Sequence, residues 1–194
     1  MSTHLIAPHG GNLINLIADD DRCLALKKSM RDVPSWTLSE RQNCDIELLI
    51  NGAFSPLTGF MGRADYESVC DTMSLVDGTF WPIPITLDVP EDLAGRLSAG
   101  KDLALRDQEG VLIAVLHVDD IYRPDKRREA ESVYGTQNPE HPGVAFLFDK
   151  THPVCLGGRI EAIETPEHFD FQALRLGKVI DVVDQLVEFI DPRN

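Results

Sequence analysis

The chain has 194 residues, with 18 Lys and Arg against 32 Asp and Glu, for a formal net charge of −14 at pH 7. A hydrophobic fraction of 43% with 26% charged residues excludes a disordered chain, and the excess of acid argues against nucleic acids and anionic membranes as partners, because both need a basic face. At this length folding buries roughly 70% of the unfolded chain's surface, so one domain, with or without an appendage, needs no disulfide or metal to hold a core. Cys23, Cys44, Cys70 and Cys155 are widely spaced, with no C-x-x-C pair and no neighbouring His, so they are expected to be reduced and structural, with no metal bound. The first residues lack a basic start followed by an apolar run, and no apolar stretch of about 18 residues occurs, so a cytoplasmic protein without a spanning helix is expected.

No repeat or low-complexity tract appears, and one body is expected from about Asn12 to Ile163. Thr37-Leu38-Ser39-Glu40 reads as a capping box that opens a helix, with Thr37 accepting from the Glu40 N–H and Gly52 as the stop. A second helix is predicted from Arg63 to Met73, where Tyr66, Val69, Cys70 and Met73 fall on one apolar face. The period then changes. Ile83, Ile85, Leu87 and Val89 alternate with Pro84, Thr86 and Asp88, which predicts a strand at an edge or a bulge. Leu103 to Leu105 and Val111 to Val118, joined by Asp107-Gln108-Glu109-Gly110, read as a hairpin. Pro124 suits the first turn of a helix that reaches Val133 and ends at Gly135, and two short strands follow around Val144 to Phe148 and Val154 to Ile163. Short strands interleaved with short helices, without βαβ alternation, indicate an α+β fold or a small open barrel.

Beyond this body, Val179, Val182, Val183, Leu186, Val187 and Ile190 mark a helical stripe opposed by Lys178, Asp181, Asp184, Gln185 and Glu188. Such a helix either covers the chain's own core or binds a partner or a second copy. Phosphate-loop, dinucleotide, zinc-protease and nucleophile-elbow motifs are all absent. Pro8-His9-Gly10-Gly11 has the composition of a structural turn. The 134–143 segment concentrates turn formers around a lone His141, and Lys126-Arg127-Arg128, backed by Glu129 and Glu131, reads as a solvated helix face.

Several of these stretches together resemble one family. Pro8-His9-Gly10-Gly11, the 41–49 run Arg-Gln-Asn-Cys-Asp-Ile-Glu-Leu-Leu and the 54–61 run Phe-Ser-Pro-Leu-Thr-Gly-Phe-Met are similar to the N-terminal region of ATP sulfurylase, also called sulfate adenylyltransferase. Trp81 to Val89, Ala104 to Asp107, Pro124-Asp125-Lys126, Val133 to Thr136, His141 to Val144 and Gly157-Gly158 continue the likeness in the family's order, across about Pro8 to Gly158.

The resemblance implies a PUA-like N-terminal domain, at residues 1–165, followed by a helical appendage at 166–194. Family members make adenosine phosphosulfate and pyrophosphate from ATP and sulfate, with catalytic motifs in a following domain. Those motifs are absent here, Gln137 to His141 lacking the Arg and second His of the first of them, so no catalytic residue and no cofactor is assigned. A non-catalytic accessory or interaction domain for sulfate assimilation is therefore expected. It would dock a separate catalytic domain or itself, through the interdomain face or the 179–190 helix. Phe54, Pro56, Leu57, Phe60, His141 and Pro142, on the loops 54–61 and 136–144, are the expected interface residues. His9, Arg41 and Arg159 are candidate anion contacts inside family-like stretches. The alternatives are an active fragment or subunit that binds ATP and sulfate, and a PUA-like RNA-binding module, which the acidic charge opposes.

Overall fold

The longest apolar stretch of the sequence becomes the centre of the structure, a computed structural model that describes residues 7–166. Strand β5 (Leu112–Tyr122) pairs antiparallel with β4 (Asp102–Arg106) on one side and β6 (Val154–Ala162) on the other. Ile113 to Leu116 are fully buried, as befits a strand covered on both faces. Strand β1 (Ser35–Thr37) adds parallel to β4. Three segments share the free side of β6: β3 (Leu87–Val89) meets its start, β2 (Gly59–Phe60) meets Gly158 and Arg159, and Ile17 bridges to Ala162. The sheet runs β1-β4-β5-β6-β2 with β3 also on β6, and among the described residues its edges stay open. This bears out the α+β expectation. No helix among the described residues is long and apolar enough to cross a membrane.

Helix α1 (Asp20–Ser29) has no counterpart in the sequence reading. Only Leu26 within it is buried, so it lacks the apolar stripe that announces a helix. It forms because Asp19 accepts from the Arg22 N–H at 2.8 Å and because Lys27 and Lys28 sit at its C-terminal end, where the helix dipole favours cations. Leu26 and Met30 pack on Ala104, Val115 and Ile163 beneath it, while the larger core cluster fills the space between the sheet and the other helices.

Helix α2 (Glu40–Ile50) is capped two residues later than expected, at Ser39. Thr37 is drawn into β1, where it pairs with Arg106, and the capping box consists of Ser39 and Gln42 instead. Ser39 Oγ accepts from the Gln42 N–H at 3.3 Å, and Gln42 Oε1 accepts from the Ser39 N–H at 3.0 Å. Helix α3 (Arg63–Thr72) buries Tyr66, Val69 and Cys70 as expected, but Met73 takes the left-handed C-cap conformation and is half exposed. Of the 83–89 strand only β3 forms, because Pro82 and Pro84 have no N–H to give a ladder; β3 does lie at an edge. After the single turn of α4 (Glu91–Ala94), the β4–β5 hairpin closes as predicted, with Asp107 accepting from the Val111 N–H at 2.7 Å.

Helix α5 (Lys126–Tyr134) is capped by Asp125, which accepts from the Arg127 and Arg128 N–H groups, so Pro124 precedes the cap rather than lying in the first turn. The expected strand at 144–148 is a helix, α6 (Pro142–Asp149). Pro142 presets φ at its first position, and Val144 and Leu147, three apart, make one buried face that a short apolar run conceals. The cysteines are free; Cys70 and Cys155 are buried with Tyr66 and Tyr122, Cys23 is half-buried, and Cys44 is exposed on α2, where packing does not hold it. The stripe from Val179 to Ile190, and all of the expected appendage but Pro166, lie outside the described residues.

Strands β2 and β6 meet through glycines. A Cβ on Gly59 would run into the Gly158 carbonyl and lie 2.8 Å from Arg159 Cα, and one on Gly157 would lie 2.5 Å from Gly62 Cα. Both contacts are with backbone, which cannot rotate away. Gly59→Ala is expected to destabilise the chain by about 3 kcal/mol in urea unfolding, the upper range for overpacking.

Candidate docking face

Asp88, in the middle of β3, is buried and fully engaged. Its Oδ1 accepts from Arg41 Nη2 at 2.7 Å and from Gln42 Nε2 at 2.9 Å, and its Oδ2 accepts from the His152 N–H at 2.7 Å. Gln42 Nε2 also donates to the Asp88 carbonyl at 2.8 Å, while its Oε1 accepts from Trp36 Nε1 at 2.9 Å. Arg41 donates further to Asp45 Oδ2 at 2.6 Å and to the Thr86 carbonyl at 3.1 Å, and its guanidinium lies 6.0 Å from the centre of the Phe146 ring. One carboxylate thus ties α2, the 83–88 segment and the approach to β6 around a cavity of about 150 Å³.

Asp45, Asp88 and Glu129 all line this cavity. Burial raises the Glu129 carboxyl above its ordinary pKa, opposed by the hydrogen bond from Tyr66 Oη at 2.9 Å and by the charges of Arg41 and Lys126. Burial raises Asp45 as well, and Arg41 pulls it back. Buried among the same groups, the Cys155 thiol is pushed up to about 12, so it is no nucleophile. Among the described residues no group of three or more His, Cys, Asp or Glu is arranged to hold a metal ion.

An apolar ridge borders the cavity. Ile83, 51% exposed, and Phe146, 40% exposed, both line it, and Phe80, 59% exposed, lies three residues before Ile83 in the chain. The expected interface residues divide around it. Phe54 is half-buried with its ring edge-on to Trp81 at 5.6 Å, and Pro56 is half-buried against Gly10. Leu57 and Phe60 are core residues, so their side chains face inward. His141 and Pro142 are exposed at the start of α6, with the His141 ring 5.2 Å from Tyr134. His9 Nε2 lies 2.8 Å from the Phe80 carbonyl, which joins the 8–11 turn and the Phe54 corner to the ridge. Phe80, Ile83 and Phe146 were not candidates: the alternation at 83–89 disguised Ile83 as a strand residue, and the apolar run at 144–148 did the same for Phe146.

The candidate anion contacts do not converge. Arg41 is neutralised by two carboxylates in this cavity, Arg159 projects beside Glu161 at a separate glycine-lined cleft, and His9 stands at the far end of the ridge. Of the basic cluster, Lys126 donates to the Thr151 carbonyl at 2.8 Å, Arg128 pairs with Asp71 and Arg127 is exposed.

The family model for the PUA-like domain matches residues 6–165. The chain belongs to the PUA-like domain family. Its relatives include the sulfate adenylyltransferases of Saccharomyces cerevisiae, 46% identical over 176 residues, and of Eremothecium gossypii, 44% identical over 172 residues. These matches cover 87% and 88% of the PUA-like chain and 34% of each relative, so it spans about a third of their length. The sulfate adenylyltransferase of Aspergillus fumigatus is 45% identical, with 87% of this chain and 30% of its own length covered. A solved structure titled hexameric APS kinase from Thiobacillus denitrificans superposes with a TM-score of 0.74 at 34% identity, covering 95% of this chain and 32% of that one. The resemblance read from the motifs thus holds, and it is to the N-terminal region.

Two outcomes are expected of the PUA-like domain. Gln42→Ala leaves the Trp36 N–H and the Asp88 carbonyl without partners and should cost about 3 kcal/mol in denaturant unfolding. Glu129 holds its proton to higher pH in the fold than in the unfolded chain, so the stability it contributes is complete below its ordinary value of 4.5 and is lost as the pH rises through the raised one. Glu129→Gln, which keeps an acceptor for Tyr66, removes that loss. Between about pH 4.5 and neutrality the unvaried chain should therefore lose melting temperature relative to the variant in paired thermal scans.

Proposed function

We propose that this PUA-like domain is a docking module of a sulfate adenylyltransferase and supplies no catalytic group of its own. Its partner is the nucleotidyl-transfer portion, which carries the reaction of ATP with sulfate to adenosine phosphosulfate and pyrophosphate. The observation that carries this reading is the exposure of Ile83 and Phe146 on the lining of the Asp88 cavity, with Phe80 also exposed three residues before Ile83 in the chain. Large aromatic and aliphatic side chains left in water around a partly desolvated cavity have the make-up of an interface centre. The likeness to about a third of the sulfate adenylyltransferases supports the choice of partner, since the rest of those chains would supply the surface that covers the ridge. Of the sequence-derived set, His141 and Pro142 are exposed at the start of α6, whereas Leu57 and Phe60 are core residues that line the separate glycine-lined cleft.

The test mixes the purified chain with the portion of the S. cerevisiae enzyme that lies outside the match. A complex is expected by calorimetry, with no sulfate-dependent pyrophosphate release by the chain alone. Phe80→Asp combined with Ile83→Asp, both surface changes that spare the core, should weaken the complex at least about 30-fold, the equivalent of one 2 kcal/mol hot spot. Unchanged affinity would remove the ridge from the interface.

A further inference from the structure

The cavity beside Phe146 contains an acceptor with nothing to accept. Glu129 is only 9% exposed, and it engages one oxygen, Oε2, with Tyr66 Oη; its other oxygen has no hydrogen bond among the described residues. Around it the charges do not balance. Arg41 answers Asp45 and Asp88 together, Asp88 is saturated by three donors, and Lys126 is turned to the Thr151 carbonyl. Glu129 is thus the carboxyl without a cation of its own in hydrogen-bond contact. An ionised carboxylate at this depth is costly while it stays unpaired, and an incoming cation relieves the cost.

The walls select what kind of cation. Tyr134 and Phe146 offer ring surfaces, Ile83 and Pro84 offer aliphatic ones, and about 150 Å³ is open between them. Aromatic faces attract organic cations and tolerate their methylene stems, whereas a hard metal ion needs a converging shell of oxygen ligands, and the carboxyl groups here are not arranged as one. An anion would meet three carboxyl groups, and an uncharged apolar group would leave Glu129 buried and unanswered.

We propose that this cavity is an anchor site for one lysine or arginine side chain of the protein that docks on the Phe80–Ile83–Phe146 ridge, its charged head on Glu129 and its stem between Tyr134, Phe146 and Ile83. The source of the cation rests on the docking reading above; the chemistry of the cavity does not. A cationic side chain seated at the centre of an apolar rim gives the partner a fixed register, as a single desolvated charge pair does at other interfaces.

The experiment titrates the full chain, labelled at Ile and Leu methyl groups, with Nα-acetyl-arginine methylamide and Nα-acetyl-lysine methylamide. The uncharged isostere Nα-acetyl-citrulline methylamide is the control. Saturable shifts are expected at Ile83, Ile85 and Leu147, which line the cavity, and not at Leu26 under α1. Citrulline amide should bind at least tenfold more weakly. Glu129→Gln should weaken the arginine amide at least tenfold while its Tyr66 partner is kept, and Phe146→Ala, a change at an exposed wall, should weaken it severalfold. Equal binding of the citrulline amide, shifts that do not saturate, or full affinity in Glu129→Gln would each overturn the assignment. No partner protein is present in this titration, so a negative result strikes the cavity alone. Failure of the complex despite intact amide binding strikes the docking reading alone.

Discussion

A buried carboxylate must be satisfied by donors or it unravels what surrounds it, and Asp88 meets that demand with three donors from two separate parts of the chain. Arg41 and Gln42 come from α2, the His152 N–H comes from the turn into β6, and Asp88 itself lies on β3. None of these contacts is local: Arg41 and Asp88 are 47 residues apart, and Asp88 and His152 are 64 apart. Because Gln42 is also Ser39's partner in the capping box of α2 and the acceptor for Trp36, a single amide couples the start of the helix, the edge of the sheet and the core. The cavity and the ridge are the outer side of this arrangement.

The same network explains why a cation in a family-like stretch is not an anion site. Arg41 has its guanidinium donors directed to Asp45, Asp88 and the Thr86 carbonyl, and two negative charges answer its one positive charge. What is left facing the opening is carboxylate and aromatic surface. The character of the face is therefore apolar with an acidic floor, in keeping with a chain whose acids outnumber its bases by 32 to 18.

Close backbone approach is the second constraint on the fold. Gly59 against Gly158, and Gly157 against Gly62, let three segments share one side of β6 in sequence, which places the 54–61 loop next to the sheet and turns Leu57 and Phe60 inward. The motif density of that loop thus reflects packing as much as surface, and the exposed anchors come from the proline-interrupted segment after it. Pro82 and Pro84 withhold the N–H groups that would have drawn Ile83 into a ladder, and so leave it in solvent.

By itself the sequence determined the elements whose signals are local. The β4–β5 hairpin, the buried face of α3, the end of α5 at Gly135 and strand β6 were all legible, because period, turn chemistry and caps act within a few residues. The order of its motifs pointed as well to the PUA-like domain and to the relatives it resembles. Elements decided by distant partners were not legible. Thr37 left its predicted cap for a pairing with Arg106, α1 formed with a single buried residue, and the apolar run at 144–148 became a helix because α5 offered it a packing face. The proposed docking face belongs to this second class. The exposure of Ile83 and Phe146, and the unanswered oxygen of Glu129, are properties of side chains brought together around one cavity from 83, 129 and 146, and no spacing rule connects them. Only the tertiary structure, by choosing which polar groups find partners and which do not, decides where such a surface lies.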